Sequence, residues 1–194
     1  MAITIEQLEG YLREEGVPFT RHTPDALVMV FAGLEKYRDE DGDDALAIRV
    51  RVTEDGEFLA IEAPKAFVAR GPHVDAFLRA CAVVQWRTKL VQFEYDANDG
   101  EIRPIVEIPV EDGTITKKQF MRSLIGLVKI IDTFYEPLQK ALADGVVELE
   151  PGYPAGAVPA DLLRGMLMAL PEEQRRQILE ALRRRTEGGS GEPH

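Results

Sequence analysis

The chain is poor in the residues that do chemistry. Its 194 residues include two serines, one cysteine and three histidines. Catalysis through a nucleophile, a general base or a metal needs several such groups brought together. Ser123 falls within a helical stripe, without the Gly-x-Ser-x-Gly elbow of hydrolases, and Ser190 stands in the glycine-rich end of the chain. His22 and His73 have no second ligand at a spacing such as HExxH. A single cysteine, Cys81, excludes an internal disulfide and a CxxC site, and its place on an apolar helix face reads as a buried structural thiol. Neither a GxGxxG nor a Walker glycine loop is present. The sequence therefore offers no catalytic, cofactor-binding or metal-binding residue. Glu62 and Glu107, carboxylates at strand positions, read as part of a solvated face rather than as an acid–base pair.

Positive charge is also scarce. The formal net charge of −11 opposes nonspecific binding to nucleic acid, which requires Lys and Arg to displace phosphate counterions. It equally disfavours anionic lipid surfaces. No window approaches the ~18 consecutive apolar residues of a membrane span, and residues 1–15 are acidic and amphipathic rather than basic and then apolar. A cytoplasmic protein is expected. An apolar fraction of 45% and a charged fraction of 29% are near the globular average, so the chain builds a packed core.

What is present is structural grammar. Thr4 and Gln7 form a capping-box pattern, with Ile3 and Leu8 at the staple positions, and Gly16 as a stop. Thr116 and Gln119, flanked by Ile115 and Phe120, repeat it. The second helix carries Phe120, Leu124, Leu127, Val128, Ile131, Tyr135, Leu138 and Leu142 on one stripe and stops at Gly145. Pro137 inside it predicts a kink. A middle helix is expected to open with Pro72 at its first position and to carry Val74, Phe77, Leu78, Cys81 and Val84.

Between the helices the period changes to two. Leu46, Ile48, Val50 and Val52 alternate with polar or small residues, and Asp55-Gly56 turns the chain into 58–63. Val91, Phe93 and Tyr95 alternate likewise, and Asn98-Asp99-Gly100 turns into 101–110. Pro104 and Pro109 cannot donate to a ladder, which places that last strand at an edge or makes it irregular. The run 27–32 is apolar on both faces, Val28 and Val30 included, so a second subunit or another part of the chain is expected to cover it.

Two acidic stretches invite a calcium reading and fail it. Counted from Asp39, Asp44 stands where an EF-hand needs glycine and Val50 where it needs glutamate; counted from Asp96, Gly100 comes one position early. Trp86, the single tryptophan, sits beside Arg87 and Lys89. Its first reading is a side chain packing the helix onto the sheet, with a binding hot spot as the alternative.

After residue 145 the composition breaks. Residues 146–160 are a Pro/Gly linker, 161–186 predict a helical pair, and 187–194 predict a disordered tail. The pair carries Leu162, Leu163, Met166, Leu167 and Leu170, then Ile178, Leu179 and Leu182, and ends in Arg183, Arg184 and Arg185. Such a stripe docks on its own domain, swaps onto a second subunit, or binds a separate protein as a helix in a groove.

The segments Val91-Gln-Phe-Glu-Tyr-Asp, Asp99-Gly-Glu-Ile, Thr116-Lys-Lys-Gln-Phe and Ile131-Asp-Thr-Phe-Tyr-Glu-Pro-Leu138, in that order, resemble the YbjN-domain family of bacterial sensory transduction regulators. The resemblance covers roughly residues 3–143, most convincingly 90–143. It implies a type III secretion chaperone-like α+β fold in residues 1–145: an antiparallel sheet with helices packed on one face. It also implies a non-enzymatic, chaperone-like or regulatory role, often dimeric, and carries over no catalytic residue. Where the family commonly has an asparagine near the end of the middle helix, this chain reads Gln85-Trp86-Arg87-Thr88. The expected function is a homodimeric protein-binding module, with a protein client or regulatory partner. The alternative is a small-molecule sensor with a pocket between sheet and helices.

Overall fold

Both capped helices begin where the sequence places them in the structure, a computed structural model that describes residues 2–149. Helix α1 spans Ile5–Glu14 and helix α3 spans Lys117–Asp144. At α3 the capping box is complete: Thr116 Oγ1 accepts from the Gln119 amide at 3.2 Å, and Gln119 Oε1 accepts from the Thr116 amide at 2.9 Å. At α1 only half of it forms. Thr4 Oγ1 accepts from the Gln7 amide, but the Gln7 side chain donates to the Tyr11 hydroxyl and to Thr114 instead. That choice ties α1 to the entrance of α3, because Tyr11 donates onward to the Ile115 carbonyl at 3.0 Å. The α1 exit is a Schellman turn. Gly16 takes a φ of +69°, its amide bonds the Arg13 carbonyl, and the Val17 amide bonds that of Leu12.

Helix α2 spans Val74–Arg87 with His73 as its N-cap. Pro72 therefore lies outside the helix and not at its first position. Helix α3 runs unbroken through Pro137. Its fully buried residues include Phe134 and Ala141, while Tyr135 and Leu142 lie at the margin of the core.

Seven strands form one antiparallel sheet: β1 (Thr20–Thr23), β2 (Ala26–Phe31), β3 (Leu46–Thr53), β4 (Phe58–Glu62), β5 (Phe67–Val68), β6 (Gln92–Tyr95) and β7 (Glu101–Pro109). Their order is β1-β2-β3-β4-β7-β5, with β6 also paired to β7. This contradicts the edge position expected for the proline-bearing strand, since β7 lies inside the sheet. The prolines are tolerated where the partners change. Pro104 stands next to the Ile105 rung, where β4 ends, and its carbonyl accepts from the Ala63 amide at 2.9 Å. The return bond that a proline cannot make falls at the handover from β4 to β5, so no ladder is broken mid-run. Pro109 pairs with Phe58 at the strand's last residue.

The register sorts the side chains. Leu27, Val50, Ile61 and Val106 share one rung and are all buried. This is the face on which the helices lie: α2 packs on α3, α3 on β4 and β7, and α1 reaches the same side through Glu9, which bonds Arg21 of β1. The core joins Leu8 and Leu12 of α1, Phe77 and Val84 of α2, and Phe120, Leu124, Leu127 and Ile131 of α3 to the sheet. Residues 33–45 are pinned by Tyr37. Its ring meets those of Phe67 and Tyr135 edge-on at 6.2 and 5.4 Å, and its hydroxyl donates to the Ala66 carbonyl. Asp132 Oδ1 accepts the amides of Lys36 and Tyr37 at 2.8 and 2.9 Å.

Gly56 closes the β3–β4 turn at φ +94°, and its carbonyl accepts from the Ile3 amide at 3.0 Å. A Cβ here would lie 2.5 Å from the Ile3 carbonyl oxygen. Gly56→Ala is expected to lower unfolding free energy by about 2 kcal/mol, from the left-handed backbone penalty together with the collision. Urea denaturation checks this, and a change within a few tenths contradicts the tight N-terminal approach.

Candidate protein-interaction surface

The face of the sheet away from the helices carries a charged cluster that the sequence hides. Across the strands, Val28 stands opposite Arg49, Arg49 opposite Glu62, Glu62 opposite Ile105, and Ile105 opposite Gln92. Glu62 is 0% exposed although none of the described helices lies on this face. Arg49 Nε and Arg51 Nε donate to its Oε1 at 2.6 and 2.7 Å, and Arg103 Nε lies 3.5 Å from its Oε2. Arg103 also bonds Glu94 at 2.6 Å. Ile105, opposite Glu62 on this face, is likewise buried. Val28 and Val30 in β2, Ala47 opposite Val30, and Phe58 of β4 are half-buried apolar residues on this side.

Glu62 is consequently not part of a solvated face. Burial pushes its carboxyl up, but the hydrogen bonds and charges of Arg49 and Arg51 outweigh burial and hold it below its ordinary value of 4.5. It stays ionised and is unsuited to act as a proton donor near neutrality. Glu107, on the rung of Arg51 and Ala60, is exposed.

The other candidates resolve into structure. Asp39 spends its carboxylate on its own loop, accepting the amides of Asp41 and Asp43 at 2.9 Å each. Asp96 accepts from the Asn98 amide, and Asp99 from that of Glu101. Among the described residues no group of His, Cys, Asp and Glu is placed to hold a metal. His22 is exposed, and His73 packs at Gly145, where an added Cβ would meet its Nδ1 at 2.7 Å. Ser123 is buried inside α3. Cys81 is buried on α2, and burial pushes its thiol up to about 12.

Trp86 contradicts its first reading. It does not pack α2 onto the sheet: it points away from it and is 87% exposed. On the outward side of α2 it follows the exposed Arg79 and Ala82 at helical spacing. Leu90, just past the helix, is 56% exposed and takes a φ of +75°. A left-handed leucine costs on the order of 1–2 kcal/mol. Here it lets Val91 enter the core while its own side chain stays in water. Tyr95, on β6, adds a third partly exposed ring or chain between residues 86 and 95. Large apolar side chains left in water mark interaction surfaces when they cluster, and tryptophan beside arginine is enriched at binding hot spots. Of the residues singled out from sequence for protein binding, Trp86, Val28 and Val30 are placed by the structure, on two separate surfaces. Leu162, Leu163, Met166, Leu167, Leu170, Ile178, Leu179 and Leu182 lie outside the described residues.

Two outcomes follow from this geometry. Glu62→Gln removes the charge that three guanidiniums surround and should cost about 3 kcal/mol, near the lower end for breaking a buried ion pair. A depressed carboxyl contributes stability that is complete above its ordinary value of 4.5 and lost as pH falls through the depressed one. Acid titration of stability should show this loss in the parent and lack it in Glu62→Gln; identical profiles contradict the cluster. Cys81 should resist thiol reagents in the native protein and react on unfolding, whereas fast native labelling contradicts its burial.

No family model matches the chain, and no curated protein matches it in sequence. Among solved structures it is similar to YbjN from E. coli, a candidate transcription regulator, with 13% identity and a TM-score of 0.52 over 70% of this chain and 94% of that one. It bears a weaker likeness to a chain of the HopA1–SchA chaperone–effector complex, with 14% identity and a TM-score of 0.45 over 66% of this chain and 90% of that one. At such identities a likeness shows fold alone, and the α+β fold of this chain is YbjN-like.

Proposed function

We propose that the protein is a non-enzymatic, protein-binding module of regulatory or chaperone-like kind, acting as a homodimer, and that it binds through the outward side of α2 and Leu90. The observation that carries this reading is Trp86, 87% exposed beside an exposed Leu90 held at positive φ. A strained, wet leucine persists only where the surrounding structure enforces it, and such strain concentrates at functional sites. The charge of the chain favours a protein partner over nucleic acid: the formal net charge is −11, and the open-face arginines are engaged with Glu62 and Glu94. Fold likeness alone gives no function, so the reading rests on the surface. No specific observation favours the alternative of a small-molecule sensor: the side chains between sheet and helices, Leu8, Met29, Phe77 and Phe120 among them, are apolar and buried.

The test uses the full chain and Trp86→Ala as baits in native-host lysate, read by mass spectrometry, with sedimentation to establish the dimer. Because Trp86 is exposed, its truncation should change stability by no more than about 0.5 kcal/mol. Hot-spot loss of ~2 kcal/mol corresponds to about a thirtyfold weaker complex. A reproducible partner lost with Trp86→Ala supports the reading. A partner held equally by both baits moves the site off α2, and a strictly monomeric protein with no partner contradicts the reading as a whole.

A further inference from the structure

Large exposed apolar side chains and a tethered apolar stripe occur in one chain. Three of the four large hydrophobic residues exposed among the described residues are Trp86, Leu90 and Tyr95, close together in sequence around the α2–β6 connection. Beyond the described residues stand Leu162, Leu163, Met166, Leu167, Leu170, Ile178, Leu179 and Leu182, at helical spacing. We propose that residues 162–182 dock in cis on the outward side of α2, covering Ala82, Trp86 and Leu90 in the free protein. The proposal rests on the protein-binding reading above in one respect: the same surface then serves partner and tail, and a partner must displace the tail.

The tether reaches. Gly145 lies against His73, the N-cap of α2. From His73 to Trp86 the helix advances about 20 Å at 1.5 Å per residue. Residues 146–149 are held by Val147 and Leu149 against the core and by the Glu148–Lys140 ion pair, so the reach comes from the 12 residues 150–161, which span up to about 40 Å when extended. The stripe therefore meets Trp86 without strain. Arg79 and Lys89 on the α2 side and Glu172, Glu173 and Glu180 in the tail supply opposite charges, while Arg164, Arg175 and Arg176 balance those acids, so the contact rests on its apolar side chains and on the reach of the tether rather than on net charge. The sheet's open face is a poorer seat, because the ion pairs of Arg49, Arg51 and Arg103 with Glu62 and Glu94 occupy it. Tethering at an effective concentration in the ~mM range keeps even a contact of micromolar intrinsic affinity closed.

Trp86 is the chain's single tryptophan, so its fluorescence reports this contact directly. In the full chain its emission should lie to the blue of a solvated tryptophan and resist acrylamide. Leu167→Glu with Leu179→Glu should shift it red and open it to quencher, with unchanged behaviour on dilution. Circular dichroism and a second variant, Ile178→Glu, guard against misfolding of the first. Emission that is already solvent-like in the full chain overturns the proposal. Shielding that survives the tail substitutions, or that vanishes on dilution and so belongs to a second copy, overturns it too. Such a failure is distinct from failure of the protein-binding reading, in which partner capture is indifferent to Trp86→Ala.

Discussion

A sheet with helices on one face must make its other face compatible with water without giving up the strands' order. In this protein the constraint is met at Glu62. Its carboxylate sits at 0% exposure, and Arg49 and Arg51 bond it from the adjacent strand, with Arg103 of β7 beside it. These contacts tie β3, β4 and β7 together by their side chains as well as by their ladders. The three arginines engage the buried carboxylate from the open side while remaining partly in water themselves. Because a one-residue slip would carry Glu62 into the apolar core, the cluster also fixes the register of the central strands.

That solution has a consequence for where the protein can act. With the open face occupied by ion pairs and the other face filled by α1, α2 and α3, the two most exposed large apolar groups among the described residues, Trp86 and Leu90, fall at the end of α2. There the backbone accepts a left-handed leucine, the helix presents a tryptophan to solvent, and Ala82 one turn earlier leaves room beside the indole. Each feature runs against the chain's own stability, and none is needed to turn α2 into β6, since Gly could supply the same φ at no steric cost. Their coincidence is what makes this surface, rather than the sheet, the centre of the account.

Much of the fold is legible in the sequence because it is written locally. Thr116 with Gln119, Gly16 and Gly145, the Asp-Gly turns and the alternation of 46–52 each decide their structure within a few residues. What is not legible depends on partners far along the chain. Pro104 argues for an edge when read alone, and only the handover from β4 to β5 makes an interior place tolerable. Glu62 looks solvated until the register sets Arg49 opposite it. Tyr37 gives no periodic signal, yet it anchors a long loop through Asp132, Phe67 and Tyr135. Trp86 reads as core by residue type, because helical periodicity is weak near a helix end and does not say which side the sheet takes. The sequence signal that does point to this place is the tryptophan beside Arg87 and Lys89.

The central claim is that the working surface is the outward side of α2 and not the open face of the sheet. The most direct measurement places a photo-crosslinking side chain at Ala82 in one full-length protein and at Ala47, opposite Val30, in another. Both are irradiated in native-host lysate and the adducts are mapped. The account predicts adducts from position 82, to residues 162–182 or to a partner protein, and none from position 47. Adducts confined to position 47 would contradict it.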